Sequence, residues 1–269
     1  MGRTWATGPA FRTTPRFPPD VVTYNITRML KRIGVLASGG GSNLAALYDH
    51  LRAVGESGTT RADLPQIVLV ASDQERAGAL ERARNWGVPS AVLADRGADV
   101  GQLEKLLGDH RVDLIVLAGY LRLVPRSVAG AYRGRIINVH PALLPAFGGA
   151  GMYGRRVHSA VIDQGLRVSG ATVHFVDEEY DRGPIIAQWP VPVLPDDTPA
   201  TLAARVLRVE HLLLPRATCA VARGSVRLDE NGGISRPVTS QLPAELAFTL
   251  EAGNDDTIGE GISRLLPDV

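Results

Sequence analysis

Cysteine and long apolar runs are nearly missing from the sequence, and each absence excludes a kind of protein. Cys219 is the only cysteine among 269 residues. An internal disulfide is therefore impossible and a cysteine-rich zinc site is excluded, so we expect Cys219, in the apolar run 217–221, to be a buried structural thiol. No stretch approaches the roughly 20 apolar residues that a membrane span needs. These absences predict a protein with no membrane association in a reducing, cytoplasmic setting.

A surplus of charge of one sign is missing as well. The 29 lysines and arginines nearly balance the 28 aspartates and glutamates, which gives a formal net charge of +1. No overall field then draws nucleic acid or a membrane surface to the chain, and we expect neither as a partner. A small anionic substrate would have to be captured by local geometry. The sequence leaves open whether the protein is a monomer or a homodimer.

The two ends of the chain lack the periodicity of the middle. Residues 1–30 contain four prolines and four arginines but one acid. A transit peptide is also arginine-rich and acid-poor, but it tends to form an amphipathic helix, which prolines oppose. We expect a disordered leader here, or a start codon assigned too early, with Met29 as the true start. Residues 229–269 begin with glycines and prolines and continue with acids and glycines, and we expect a surface strap followed by a flexible tail.

Between these ends, short β-branched and apolar runs alternate with segments of helical pattern. Such runs are typical of a parallel sheet that is covered on both faces. The predicted fold class is α/β, a Rossmann-like, doubly wound and mostly parallel sheet. The predicted strands are 32–37, 66–71, 90–93, 113–118 and 135–139, and the predicted helices are 42–54, 75–86 and 101–107.

After residue 140 the pattern changes, and we expect a C-terminal α+β part that continues the same sheet. Two runs alternate apolar and polar residues, which predicts half-exposed strands. Thr198 and Pro199 are residues that favour a helix start. The predicted elements are a helix at 157–164, strands at 169–176 and 185–193, and a long helix at 199–222.

A glycine-rich turn, Ser38-Gly-Gly-Gly-Ser-Asn43, joins the first strand to the first helix. Glycines allow a ligand to approach the backbone N–H groups closely, and the start of a helix favours an anion. Leu44 stands where a dinucleotide fingerprint needs its third glycine, and the Gly-Lys-Ser/Thr of a Walker loop is missing. We expect the phosphate of a mononucleotide-like ligand here. The alternative is a plain strand-to-helix turn.

Two polar side chains, Asn138 and His140, end the fifth predicted strand, just before Pro141. Residues two apart on a strand point to one face, and ligands of open α/β sheets bind at the carboxyl ends of strands. The imidazole can exchange a proton near neutral pH, and the amide can donate to a developing oxyanion. The pattern fits a catalytic pair, and equally a structural hydrogen-bonded pair.

An acidic loop, residues 177–184, joins the two later strands and ends in Gly183-Pro184. One of its four acids could fold over the end of the sheet onto His140 and raise the pKa of the imidazole. The spacing does not select among these acids, and a solvated loop is the alternative. We expect His174, in the alternating strand before this loop, to be structural.

Six motifs occur in an order that resembles the folate-dependent phosphoribosylglycinamide formyltransferases, over residues 31–228. The sequence from Asn138 to Pro145, with the later Asp-x-Gly, resembles the wider formyltransferase group. The Gly-Ser-Asn turn narrows the resemblance to the branch that acts on glycinamide ribonucleotide. The motifs are 38–43 (SGGGSN), 117–122 (LAGYLR), 138–145 (NVHPALLP), 170–176 (GATVHFV), 181–186 (DRGPII) and 210–211 (EH).

The resemblance implies a role for each matching residue. It implies catalysis by Asn138, His140 and Asp181, in which Asn138 and a protonated His140 stabilise the oxyanion and Asp181 keeps His140 charged. It implies 10-formyltetrahydrofolate as co-substrate, small-molecule substrates and no metal. The glycinamide ribonucleotide would contact Gly41, Ser42, Asn43 and Glu210, and the folate would contact Leu121, Arg122, Leu123, Val124 and Asn138, with residues 177–181 as its other wall.

This sequence departs from the family pattern in two places, and three other functions remain to be weighed. Arg182 stands where a small residue is common, and the segment 147–156 is longer than in some members, so its contacts stay open. A formyltetrahydrofolate hydrolase would carry a further domain before the sheet, and a methionyl-tRNA formyltransferase would carry a basic C-terminal domain. A non-catalytic nucleotide-binding regulator is the alternative from another class.

Overall fold

The computed structural model describes residues 29–56, 64–93, 99–235 and residue 260. Most of the predicted leader and most of the predicted tail lie outside these residues. The first half of the described chain forms five parallel strands, which the β-branched and apolar runs predict. They are β1 (Arg32–Leu36), β2 (Gln66–Ser72), β3 (Ser90–Val92), β4 (Leu114–Leu117) and β5 (Ile136–His140).

One seven-stranded sheet organises the fold, in the order β3-β2-β1-β4-β5-β6-β7. Its last two strands, β6 (Val168–Phe175) and β7 (Ile185–Pro192), are antiparallel to their neighbours, whereas the first five are parallel. Strands β2 and β3 lie on one side of β1, and β4 and β5 lie on the other, so the connections after β1 and after β4 leave in opposite directions. A crevice therefore forms between the carboxyl ends of β1 and β4. The predicted fold class and the C-terminal continuation of the sheet are confirmed.

Helices cover both faces of the sheet. Four of them pack on one face around Val35, Val116 and Val173. The other face has Leu36, Ile115 and Ile136 and is covered, within the described residues, by two further helices. The first group is α1 (Ser42–Glu56), α2 (Gly78–Asn85), α5 (Arg155–Asp163) and α6 (Pro199–Arg223), and the second is α3 (Asp99–Asp109) and α4 (Arg126–Ala131).

Local chemistry explains the bounds of α6. The hydroxyl of Thr198 accepts from the N–H of Thr201, and the Thr201 side chain accepts from the N–H of Thr198, so the two form a capping box. The helix ends at Gly224, which has a left-handed conformation with φ of 77°. Cys219 on this helix is buried and free, as expected.

The structure differs from the predicted elements in four places. Helix α2 begins at Gly78 rather than at 75, because residues 73–76 form turns after β2, in which the N–H of Gln74 donates to Ser72 Oγ. Helix α4 was not predicted, since six residues are too few for a periodicity. A short hairpin of β8 (Arg227–Leu228) and β9 (Ile234–Ser235) begins where a strap was expected.

The fourth difference concerns β6, which is buried along seven of its eight residues, so the prediction of a half-exposed strand was wrong. Its polar residues face other protein groups rather than water. Thr172 Oγ1 donates to the carbonyl of Ala142 (2.6 Å) and accepts from the N–H of Leu144 (3.0 Å). These bonds hold the turn that follows β5 against β6. In the part of the chain that the structure describes, no helix is long and apolar enough to cross a membrane.

Candidate active site

A cavity of about 640 Å³ opens at the carboxyl ends of β1, β4 and β5. Its floor includes Asn138 and His140 from the end of β5, as the sequence predicts. The segments 119–124 and 179–181 and residues of α5 and α6 also line it. Val124 packs on one face of the sheet, and α5 and α6 pack on the other, so these two parts of the lining form two walls. In open α/β sheets, ligands bind at the carboxyl ends of the strands, at the point where the strand order reverses, and the cavity lies at this point.

Strand β5 positions the two floor residues by its period of two. Ile137 and Val139 are buried in the core on the opposite face, so the register of the strand cannot slip without exposing them. The antiparallel pairing with β6 places Asn138 opposite His174 and His140 opposite Thr172. Both polar side chains therefore project toward the end of the sheet where the cavity lies.

The carboxylate of Asp181 reaches this pair, as the resemblance implies. Its Oδ2 lies 3.5 Å from His140 Nδ1, and its Oδ1 lies 3.4 Å from Asn138 Nδ2. The N–H of Gly149 donates to Oδ2 at 2.9 Å. The two contacts with the side chains of β5 are long for hydrogen bonds. Three residues distant in sequence thus surround one small volume at the cavity floor.

The path of the chain around Gly183 explains why Asp181 lies here. A Cβ atom at Gly183 would lie 1.9 Å from the carbonyl oxygen of Phe175, so only glycine lets the loop pass this close to the end of β6. Asp181 itself has φ of 56°, the left-handed region that is uncommon for a residue with a side chain. The close passage and this turn together direct the carboxylate back over the sheet.

His174, which we expected to be structural, also belongs to this cluster. Its Nε2 lies 3.1 Å from Asn138 Nδ2 and 3.5 Å from Asp181 Oδ1. Its Nδ1 lies 2.8 Å from the carbonyl of Phe175, which can only accept, so Nδ1 is the donor. In the neutral ring Nε2 then accepts from Asn138, which orients the amide. Its place opposite Asn138 follows from the pairing of β5 with β6, which the sequence does not indicate.

The protonation of His140 depends on two opposing effects. Burial lowers the pKa of His140 below its ordinary value, and the charge of Asp181 acts in the opposite direction without overcoming it. Nε2 lies 2.8 Å from the carbonyl of Phe147 and must donate to it, so Nδ1 carries a proton only in the imidazolium form. In this conformation Asp181 therefore acts as expected on His140 but does not keep it charged.

The carboxyl of Asp181 has the opposite balance. Burial raises its pKa, but the neighbouring imidazoles of His174 and His140 and the hydrogen bond from the N–H of Gly149 together hold the pKa below the usual value. Asp181 is therefore ionised at neutral pH. An ionised acid faces a neutral His140, a state that is ready to accept one proton on Nδ1.

The glycine-rich turn lies beside the cavity and is held against α2. Gly41 has φ of 74°, and a Cβ there would lie 2.8 Å from the Cα of Ala79. The carbonyl of Gly40 accepts from Arg82 Nε at 2.9 Å. Ser38 and Gly39 line the cavity, whereas the predicted Gly41, Ser42 and Asn43 are not part of its lining, and Asn43 reaches it only through its contact with Glu210. The turn is thus fixed in shape, with the first N–H groups of α1 behind it.

Glu210 lines the cavity from α6, and Asn43 contacts it. Asn43 Nδ2 donates to Glu210 Oε2 at 2.6 Å. Burial raises the pKa of Glu210 from 4.5 to about 7, although the bond from Asn43 opposes this. The predicted Asn43 and Glu210 are therefore brought together, but the amide of Asn43 is directed to the carboxyl, and its Oδ1 is buried without a partner among the described residues.

The segment from Leu121 to Val124 forms part of the cavity wall, in the place expected for the folate. Leu121 is 49% exposed, whereas Val124 is buried, so the segment presents an apolar rim to solvent. Arg122 Nε lies 3.0 Å from Asp73 Oδ2, and the Asp73 side chain is 4% exposed. Asp73 has no motif that would have identified it. Glu179, Tyr180 and Asp181 of the acidic loop line the same cavity.

The segment 147–156, whose contacts the sequence leaves open, also reaches the cavity. Residues 149–155 line it, and Phe147 and Gly149 bond the catalytic candidates. His158 on α5 lines it too and was not anticipated. Within residues 29–56, 64–93, 99–235 and 260, no cluster of three histidine, cysteine or acidic side chains has the arrangement of a metal site.

Comparison with known proteins agrees with this geometry. The family described as Formyl transferase matches residues 31–218. Phosphoribosylglycinamide formyltransferase, chloroplastic, of Arabidopsis thaliana is 39% identical over 229 residues, which cover 83% of this chain and 76% of the relative. The location in its name is that relative's own, and the cytoplasmic setting of this chain stays a prediction.

Two solved structures give the same result. Glycinamide ribonucleotide transformylase 1 from Symbiobacterium toebii is 36% identical, with a TM-score of 0.68, and the match covers 81% of this chain and 98% of that one. A formyltetrahydrofolate deformylase from Pseudomonas syringae pv. tomato is 27% identical, with a TM-score of 0.66, covering 77% of this chain and 65% of that one. With the family match, these similarities show that the chain belongs to the formyl transferase family.

Proposed function

We propose that the chain transfers the formyl group of 10-formyltetrahydrofolate to the amine of glycinamide ribonucleotide, a step of purine synthesis. The observation that carries the proposal is the convergence of Asn138, His140 and Asp181 within 3.5 Å contacts at the cavity floor. The fixed glycine turn beside Glu210 supports a phosphate-bearing acceptor. The relatives named for this activity cover most of the chain.

The two substrates occupy opposite walls in this proposal. The folate lies against residues 121–124, whose apolar rim suits its aromatic ring system, with the acidic loop on its other side. The ribonucleotide lies near Glu210, with its phosphate at the turn 41–43, where the N–H groups that begin α1 favour an anion. The amine and the formyl carbon then meet above Asn138 and His140.

The amine attacks the formyl carbon, and the carbonyl oxygen becomes an oxyanion. Asn138 and His140 stabilise this charge by donating hydrogen bonds, and one such donor typically contributes about 3–4 kcal/mol. The amine, positively charged after attack, gives its proton to Asp181, which passes it to Nδ1 of His140, because the negative charge of the oxyanion raises the pKa of the imidazole. As the tetrahedral intermediate collapses, the carbonyl forms again and the bond between the formyl carbon and the folate nitrogen breaks. The same proton returns from His140 through Asp181 to the leaving folate nitrogen.

The present contacts of the donors define what substrate binding must change. His140 Nε2 donates to the carbonyl of Phe147, and Asn138 Nδ2 faces His174 and Asp181. A substrate oxygen must replace the Phe147 carbonyl as the acceptor of His140. Asn138 can give up its contact with Asp181, which at 3.4 Å is longer and weaker than its 3.1 Å contact with His174. Phe147 has φ of 55° and lies in the segment that lines the cavity, so this replacement is local.

The test is formyl transfer by the purified chain with and without glycinamide ribonucleotide, measured by loss of the folate donor and by formation of the formylated product. His140→Ala and Asp181→Asn should each lower kcat by at least about a hundredfold, as losses of single groups of this kind do. Circular dichroism should show the fold unchanged. Normal turnover in both folded variants would refute the assigned roles.

A formyltetrahydrofolate hydrolase is the second candidate, because the Pseudomonas syringae deformylase shares the fold at 27% identity. Its reaction would use water in place of the amine above the same three side chains. The same assay separates the two. Loss of the folate donor at an equal rate without the ribonucleotide supports hydrolysis, whereas loss that depends on the ribonucleotide supports transfer.

A further inference from the structure

His158 lies in the cavity but has no place in the mechanism above. Its side chain is on α5, just after the segment that contacts His140 and Asp181, and it is 3% exposed. The ring lines the cavity, and its Nδ1 is enclosed with no hydrogen-bond partner among the described residues. Buried polar atoms without partners are few in native proteins and require a reason.

The buried nitrogen indicates which tautomer the ring adopts. A buried N–H without an acceptor is rarer than a buried acceptor without a donor, so the neutral ring carries its proton on Nε2. Burial, together with the charge of His140, lowers the pKa of His158, which keeps the ring neutral at pH 7. Because Nδ1 is enclosed, Nε2–H is the group that the ring presents to the cavity.

The position of the ring selects the substrate it meets. His158 is on α5, which packs with α6, the helix of Glu210, on one face of the sheet, whereas Val124 of the segment 121–124 packs on the other face. His158 therefore belongs to the wall of α5 and α6. Helices α5 and α6 pack directly on each other. In the proposed function this wall belongs to the acceptor, whose amide carbonyl and ribose oxygens are neutral hydrogen-bond acceptors. A neutral N–H donor is matched to such oxygens.

We propose that His158 binds the acceptor substrate by donating a hydrogen bond from Nε2 to one of its neutral oxygens, and so holds the amine for attack. This inference rests on the proposed function. It makes His158 a substrate-binding residue whose contribution appears in the affinity for glycinamide ribonucleotide. The affinity for the folate donor is independent of it, since the folate lies on the other wall.

The test compares three variants that separate hydrogen bonding from packing. The amide nitrogen of glutamine reaches the place of Nε2, whereas that of asparagine reaches only the place of Nδ1, and leucine fills space without a donor. His158→Leu and His158→Asn should raise the KM for glycinamide ribonucleotide about five- to tenfold, the effect of one lost hydrogen bond. His158→Gln should recover most of it. The KM for the folate and the melting temperature should stay near those of the unaltered chain.

Each other outcome has a definite meaning. Equal KM values for the ribonucleotide in the glutamine and asparagine variants would indicate a packing role, as would a rise in the KM for the folate as well as for the ribonucleotide. With an active unaltered chain, either result would overturn this inference and leave the proposed function standing. An unaltered chain that transfers no formyl group to the ribonucleotide would overturn the proposed function, and this inference with it. Calorimetric binding of the ribonucleotide to the unaltered chain and to His158→Leu provides the second measurement, with weaker binding expected for the variant.

Discussion

Replacing Glu210 by glutamine should change how the stability of the protein depends on pH. Glu210 is 7% exposed on α6, and burial raises the pKa of its carboxyl from 4.5 to about 7. Asn43 Nδ2 donates to Oε2 at 2.6 Å, a bond that works against this rise. Glutamine has the same shape and keeps an oxygen for Asn43, so the variant removes the titration and little else.

The sign and magnitude follow from linkage. Between about pH 4.5 and pH 7 the folded chain holds a proton on Glu210 that the unfolded chain has released. The stability of the folded state therefore falls as the pH rises through this window, by about 1.4 kcal/mol for each pH unit. Above pH 7 the loss is complete and amounts to about 3 kcal/mol relative to pH below 4.5. The glutamine variant has no such loss.

Urea unfolding of both proteins at pH 5 and pH 8 measures the difference. At pH 5 the two free energies of unfolding should be similar. At pH 8 the variant should be the more stable one by about 3 kcal/mol, with an unchanged m-value. Other titrating groups, such as Asp181 and Asp197, cancel in the subtraction because both proteins share them. Glu179→Gln, a change of an exposed acid on the same cavity, is the control. Parallel pH dependences of Glu210→Gln and the unaltered chain would refute the reasoning.

Two further predictions concern the supports of the site. Gly183→Ala should destabilise the fold by at least about 2 kcal/mol, since its Cβ would meet the Phe175 carbonyl. Gly108→Ala on α3, where a Cβ meets nothing within 4 Å, is the control and should be neutral or stabilising. Similar melting temperatures for the two variants would contradict this. Asp73→Asn removes the charge paired with Arg122, on the cavity wall that the proposed function assigns to the folate. It should raise the KM for the folate about tenfold with little change in kcat, because a charged hydrogen bond contributes about 1.5–3 kcal/mol. An equal rise in the KM for the ribonucleotide would show that Asp73 supports the fold in general.

The parallel half of the fold was predictable because its signal is local. Each of its buried strands is a short apolar run, and β1, β2, β4 and β5 match the predicted runs within about two residues at either end. Helix α4 has no such signal, since six residues give no period. The exposure of β6 was predicted wrongly because alternation identifies two faces but does not say what covers the polar one, and here the polar face meets the turn after β5 and the cavity.

The candidate site was predictable only in part, for a similar reason. Asn138 and His140 share a face by the period of a strand, which the sequence alone indicates. Asp181 came from the resemblance, since its position depends on a left-handed residue and on the passage of Gly183 over Phe175. The role of His174 depends on the antiparallel register between β5 and β6, in which it lies opposite Asn138. Contacts of that kind arise from tertiary packing and leave no spacing to detect.

Burial shifts the pKa of the buried bases and acids of the cavity in opposite directions, and Asp181 is held against that effect. Burial lowers the pKa of His140 and of His158 and raises the pKa of Glu210 to about 7, so each of these groups tends toward its neutral form. Burial would also raise the pKa of Asp181, but His174, His140 and the N–H of Gly149 outweigh it, so this carboxyl stays ionised. A negative charge is therefore retained at the cavity floor, where the proposed mechanism has the attacking amine lose its proton.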